Sequence, residues 1–306
     1  MSEVCSETLE SRLRELRRVL EEWGREHRDV SLAEAERGVL QAMWAALPDL
    51  LGAVLRQCTS ALASPVSGLQ QRCPGCGKRR KSQQWRKREV LTVCGPLRYV
   101  RPYYYCRRCK RGWAPADATL GVGSRERMSK ELETWLAELG AATDFREAAH
   151  LLEQFTGIGV AAETVRQHTE GVGAELEAAQ QAAIAQVEQT QEAAEPVEAA
   201  PGLLVVETDG VMVRYLDGWH EVKVGLVGGH QQGHTGTLSY VAARESAEQF
   251  GPRLLAEAAR RGALEIAGWE GPVTGRGLAV LRKVVVLGDG ARWIWNLAAD
   301  YFGACI

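Results

Sequence analysis

"KVVVLGDGARWIWNLAADYFGACI", Lys283 to Ile306, begins with a β-branched run, passes Asp289 between two glycines, and turns aromatic. Val284, Val285 and Val286 read as a buried strand, and the spacing from Arg292 onward reads as a helix. Asp289 thus falls at the exposed end of a strand. Working back along the chain, "ESAEQFGPRLLAEAARRG" (Glu245 to Gly262) is an amphipathic helix, and "TGTLSYVAAR" (Thr235 to Arg244) is a strand. "VMVRYLDGWHEVKVGLVGG" (Val211 to Gly229) gives a turn at Asp217-Gly218 and a further strand. "GLLVVETDG" (Gly202 to Gly210) is a buried strand ending in Asp209.

The order is β-β-β-α-β-α. Three meandering strands, then a crossover helix to a parallel strand, open a ribonuclease-H-like fold. Residues 202–306 therefore read as a partial ribonuclease-H-like α/β core. In that arrangement the first and fourth strands are neighbours, and Asp209 and Asp289 meet at one edge of the sheet. Two such carboxylates suit a pair of Mg²⁺ or Mn²⁺ ions roughly 4 Å apart, the geometry of phosphoryl transfer. Either Asp alone would be an ordinary strand-end turn or helix cap; the two together carry the metal reading. Gly210 and Gly290 leave room for a backbone to approach. Glu207 shares Asp209's face, and Asp217 is a turn residue. His230 and His234 sit in a glycine-rich hairpin loop that is a poor metal site.

Upstream, Cys73 and Cys76 form one CxxC and Cys106 and Cys109 another. Two strand-like runs lie between them, "REVLTV" (Arg88 to Val93) and "LRYVRPYYY" (Leu97 to Tyr105), joined by a turn at "CGP". This is the layout of a zinc ribbon: each CxxC lies on a tight turn, and the hairpin brings four thiolates around Zn²⁺. A ribbon this small needs the metal to fold, so the Zn²⁺ is structural. Four thiolates leave no open position, which excludes a zinc hydrolase. Cys94 lies at the hairpin turn and is not a ligand; Cys5, Cys58 and Cys305 have no partners at ligand spacing. From Cys73 to Gly112 the only acid is Glu89. Arg79, Arg80, Arg86, Lys87 and Arg88, with Lys78 and Lys81, interleave with Trp85 and Tyr103 to Tyr105, a composition suited to DNA phosphates.

Flanking segments read as helices. Leu9, Leu13, Leu16, Leu20 and Trp23 recur at helical spacing, and Ser31 with Glu34 forms a capping box before a second helix, which Pro48 kinks or restarts. A helical hairpin for packing or dimerisation follows. Beyond Met128, "MSKELETWLAELG" and "TDFREAAHLLEQFTG" precede "AAETVRQHTEGVGAEL". Short helices joined by a glycine-containing turn match a helix-turn-helix. Val165, Thr169, Val172 and Leu176 would face inward, with Arg166 and Gln167 presented to DNA. The low-complexity run from 183 reads as a helix fading into a linker.

The 306 residues carry a net charge of −2, are 45% hydrophobic, and show no signal peptide and no membrane-length apolar run. A cytoplasmic protein with no membrane partner is the expectation. The fold class is multidomain α+β: an N-terminal helical region (1–62), a linker at 63–68, a zinc ribbon (69–115), a helix-turn-helix (128–182), a linker (183–201) and the partial core.

"VVETDG", "DGWHEVKVG" and above all "VVVLGDGARWIWNLA" resemble the DDE transposases of bacterial insertion sequences, of the ISKra type related to the Mutator-like group. The CPxCG and YYYCRRC knuckles fit the same family order, and the resemblance runs from about Gln71 onward. It implies DNA transposition at insertion-sequence ends, with Asp209 and Asp289 as the first two acids of the triad. In that family the last strand, a helical insertion and the catalytic Glu follow the position of Ile306. Asp300 does not match the third acid, so the chain is expected to be the front portion of a transposase with its chemistry incomplete. The alternative is a non-catalytic, transposon-derived DNA-binding protein or repressor.

Overall fold

The computed structural model describes residues 8–59, 62, 70–190, 203–231, 234–262, 265–266, 278–279 and 284–303. The expected linkers at 63–68 and 191–201, and the cysteines at positions 5 and 305, lie outside them. The chain is mixed α+β and divides into two compact units, Met1–Val172 and Gly173–Ile306.

In the first unit, helix α1 (Leu9–Glu26) is capped by Thr8, whose hydroxyl accepts from Ser11 N. Helix α2 (Leu32–Cys58) starts at the expected capping box: Ser31 and Glu34 satisfy each other's backbone N–H groups. A side chain at Gly38 would overlap the Trp23 indole, so this glycine lets α1 and α2 close. Pro48 neither ends nor restarts α2, which runs through it. Its ring is seated near Gly95, where packing outweighs one lost helical hydrogen bond. Among the described helices α2 alone has the length and hydropathy to cross a membrane. That corrects the expectation of no such run: Asp49 is the one charge from Gly38 to Leu55. This aspartate pairs with Arg12 of α1 at 3.1 Å.

Strands β1 (Gln70–Arg72) and β2 (Arg79–Lys81) pair antiparallel. Strands β3 (Gln84–Thr92), β4 (Gly95–Cys106) and β5 (Arg111–Trp113) form a three-stranded sheet, with Thr92 opposite Gly95 at the hairpin turn. Helix α3 (Pro115–Thr119) follows, then α4 (Lys130–Ala142) and α5 (Phe145–Thr156). Val90, Leu97, Tyr99 and Ala116 make one core; Leu132, Leu136, Ala148, Leu152 and Val165 make another.

Helix α6 (Ala162–Thr190) is far longer than a recognition helix. Within the first unit Val165 is buried and Thr169 donates to Leu136 O. Leu176, expected inward, is 63% exposed. Residues 183–190, expected as linker, are helical, because Ile184 and Val187 form an apolar stripe that joins the second unit's core.

The second unit holds strands β6 (Leu203–Tyr215), β7 (Gly218–Gln231) and β8 (His234–Ala243), then helix α7 (Ala247–Arg260). Two-residue strands β9 (Glu265–Ile266) and β10 (Leu278–Ala279) pair with each other. Strand β11 (Val284–Leu287) and helix α8 (Arg292–Phe302) follow. The sheet order is β11-β6-β7-β8, with β11 parallel to β6 and the other pairs antiparallel. Leu204, Val206, Val227 and Val241 face Phe250, Leu254, Leu297 and Phe302 in one core. Buried Arg253 pairs with Glu177 at 2.8 Å and Glu245 at 3.0 Å.

Candidate functional site

The four cysteines converge. The Sγ atoms of Cys73, Cys76, Cys106 and Cys109 all lie within 4.8 Å of one another, and Cys76 and Cys106 are 3.7 Å apart. Tetrahedral zinc with Zn–S bonds of about 2.3 Å requires S···S edges of roughly 3.8 Å, so the donor set fits the metal. Local backbone builds each half. Gly77 N donates to Cys73 O and Cys73 N to Lys78 O, both at 2.9 Å, a tight turn closed by Gly77 at φ 68. On the other side Cys106 ends β4 opposite Arg111, and Lys110 takes the left-handed turn between them at φ 52.

The Cys106 and Cys109 thiols are unequal. The Cys106 thiol is drawn down to about 6, first by the Cys109 backbone N–H and then by Arg80. Cys109 is pushed up to about 12, first through its hydrogen bond with Cys76 and then by burial. Cys94 stands apart, half-buried, with burial raising its thiol.

The basic residues separate into inward and outward sets. Arg79 and Lys87 are exposed, as are Lys78, Lys81, Arg107, Arg108, Lys110 and Arg111. None of these makes an ion pair among the described residues. Arg80, Lys81, Ser82, Gln83, Tyr105 and Arg107 line a groove of about 490 Å³. Arg107 escapes notice as a site residue in the sequence because its "RRCKR" run reads first as a metal knuckle. Arg86 lies 3.7 Å over the Tyr103 ring.

Arg88 turns inward, which corrects its assignment to the DNA surface. Its guanidinium donates to Asp117 Oδ2 at 3.1 Å and to the carbonyls of Gly123, Ser124 and Glu126. Tyr99 donates to the same carboxylate at 2.9 Å. Arg101 Nε stands 2.5 Å from Asp117 Oδ1, close as a charge but misaligned as a hydrogen bond. Burial first, then Asp117, raises the Tyr99 phenol. Arg166 is held by Glu163 and Glu170, and Gln167 donates to Glu163 at 2.8 Å. The Glu163 carboxyl is lowered to about 2, chiefly by Arg166. The helix pair expected to read DNA therefore meets its own acids first.

The model of an uncharacterised protein family (UPF0236) matches residues 53–244, more than half of the chain. The chain belongs to this family. The UPF0236 match takes in all four cysteines, helices α3 to α6 and Asp209. No curated protein matches the chain.

In the second unit the last rung between β11 and β6 joins Leu287 to Glu207. Asp289 and Asp209 each lie two residues beyond it. Asp209 is mid-strand rather than at a strand end, because the β6-β7 hairpin continues to the Tyr215-Gly218 pair. It is the parallel neighbour that stops. Both acids are exposed. Asp209 Oδ1 accepts from Gly210 N at 2.7 Å, and Asp289 Oδ1 from Ala291 N at 2.8 Å at the entry to α8. Among the described residues the only group of three or more metal-ligating side chains is the four cysteines.

Proposed function

We propose that this chain is a DNA-binding protein of the transposase class. In this reading the first unit docks on insertion-sequence ends through a zinc ribbon. The second is a ribonuclease-H-like unit supplying Asp209 and Asp289 to a two-metal site for DNA strand cleavage and transfer. The observation that carries the catalytic half is the parallel pairing of β11 with β6, which runs both acids past the same rung. The binding half rests on the exposed cations around the cysteine cluster, where the one acid, Glu89, is neutralised by Arg98 at 2.5 Å.

In such a site Mg²⁺ or Mn²⁺ would activate the attacking oxygen and stabilise the leaving one. The chain's own part is to bind phosphates and present the two carboxylates. A DNA-binding protein that occupies element ends without cutting them is the second reading, since among the described residues the four cysteines are the only group of three or more metal-ligating side chains.

The test is binding and cleavage of element-end DNA with Mn²⁺ or Mg²⁺, beside Asp209→Ala and Asp289→Ala. Cleavage lost in both variants with binding intact establishes the transposase reading. Binding without cleavage establishes the second. No salt-sensitive DNA binding at all refutes both.

A further inference from the structure

The sequence groups Arg80 with the cations facing DNA, yet its side chain does something else. Strand β2 alternates: Arg79 and Lys81 are exposed, while Arg80 is half-buried between them. Pairing of β2 with β1, Arg80 opposite Gln71, holds that alternation in place. The inward guanidinium reaches Cys106 Sγ with two donors, Nε and Nη2, each at 3.4 Å. Arg80 follows the first cysteine pair in the chain, whereas Cys106 belongs to the second. Cys106 is also fully buried.

A divalent ion in four thiolates leaves a net charge of −2 on a small, dehydrated cluster. Buried charge of that size needs compensation, and N–H···S bonds to a ligating thiolate withdraw charge from the sulfur and fix its direction. We propose that Arg80 is a positioning residue of the metal centre: its planar fork clamps the Cys106 thiolate onto zinc, balances the cluster's charge and ties the two cysteine pairs together. It is not a phosphate contact. Lysine is not equivalent, since one ammonium cannot place two fixed donors on one sulfur.

The inference rests on the metal-centre reading, and the experiment separates the two. The full chain is prepared as wild type, Arg80→Ala, Arg80→Gln, Arg80→Lys and, as an exposed neighbour, Arg79→Ala. Zinc transfer to a chromogenic chelator, the thiolate-to-metal charge-transfer band of the Co²⁺ form and DNA affinity are measured on each. Arg80→Ala is expected to release zinc on the order of 10–100-fold more readily, with the cobalt band moved to lower energy as the sulfur regains electron density. Arg80→Lys should fall between. Arg79→Ala should leave zinc and band unchanged and weaken DNA binding. If Arg80→Ala fails to take up metal, the band in Arg80→Gln and Arg80→Lys decides. Unchanged zinc release and band in the Arg80 variants, with DNA affinity falling as in Arg79→Ala, would overturn the proposal. A wild type that holds no zinc would overturn the metal centre itself.

Discussion

Asp117 and the residues around it show how one carboxylate redistributes a run of arginines. Arg88, Arg101 and Tyr99 converge on a buried Asp117. Removing one partner of a buried ion pair leaves an uncompensated charge, so Asp117→Ala or Arg88→Ala should cost about 3–5 kcal/mol of stability in denaturant unfolding. Lys87→Ala, one residue away and exposed, should stay within about 0.5 kcal/mol while weakening DNA binding. Equal stability effects at 87 and 88 would contradict the inward placement of Arg88. The cysteines carry a pH prediction. Cys106 has its thiol lowered from 9.0 to about 6. A lowered value means that the thiolate favours the fold. That contribution is complete above about 9, fades as pH falls and is lost below about 6. Cys109, held near 12, must surrender its proton to the metal. Zinc added at about pH 8 should therefore release fewer than four protons, and acidification should expel the ion. A pH-indicator titration alongside zinc uptake measures both.

At the scale of elements, β2, β3 and the turn after β4 are the frame that presents the cations. Arg79, Lys81, Arg86, Lys87, Arg107 and Arg108 are exposed among them. Replacing them with alanine should lower DNA affinity and reduce the slope of log K against log salt by roughly 0.9 for each phosphate no longer neutralised. Replacing Arg166 and Gln167 should change the slope less, because Glu163 and Glu170 already neutralise that helix face. The pairing of β11 with β6 is the corresponding element in the second unit. Its expected topology was legible because periodicity changes from 3.6 to 2 beyond the α6 segment, and because the crossover through α7 is long enough for a parallel return. The end of β6 was not legible. Asp209-Gly210 looks like a turn, but cross-strand pairing from Val211 to Tyr215 carries the strand on.

For the molecule as a whole, the division falls inside a helix rather than at a linker. Each unit has its own core, and only the first holds the cysteine cluster. Removing zinc with a chelator should therefore lower the melting temperature of the first unit and leave a second calorimetric transition in place. A single transition that shifts as one would show that the units unfold together. The run from Ala174 to Val213 has no Lys or Arg and low complexity in its first half, which reads as linker. Residues 174–190 are instead helical, with Val187 buried in the second unit's core and Ile184 packed against it.

By itself the sequence determined what depends on local pattern. The CxxC spacing and intervening hairpin specify four converging thiolates, because two tight turns and a short two-stranded frame leave few other arrangements. The Ser31 capping box and the Asp217-Gly218 turn are legible for the same reason: neighbours along the chain decide them. Only the tertiary structure decided which arginines face outward. Arg80, Arg86 and Arg88 differ little in sequence context. Arg86 stays exposed over the Tyr103 ring, while Cys106 and Asp117 draw Arg80 and Arg88 inward, and each of those partners is distant in the chain but adjacent in space.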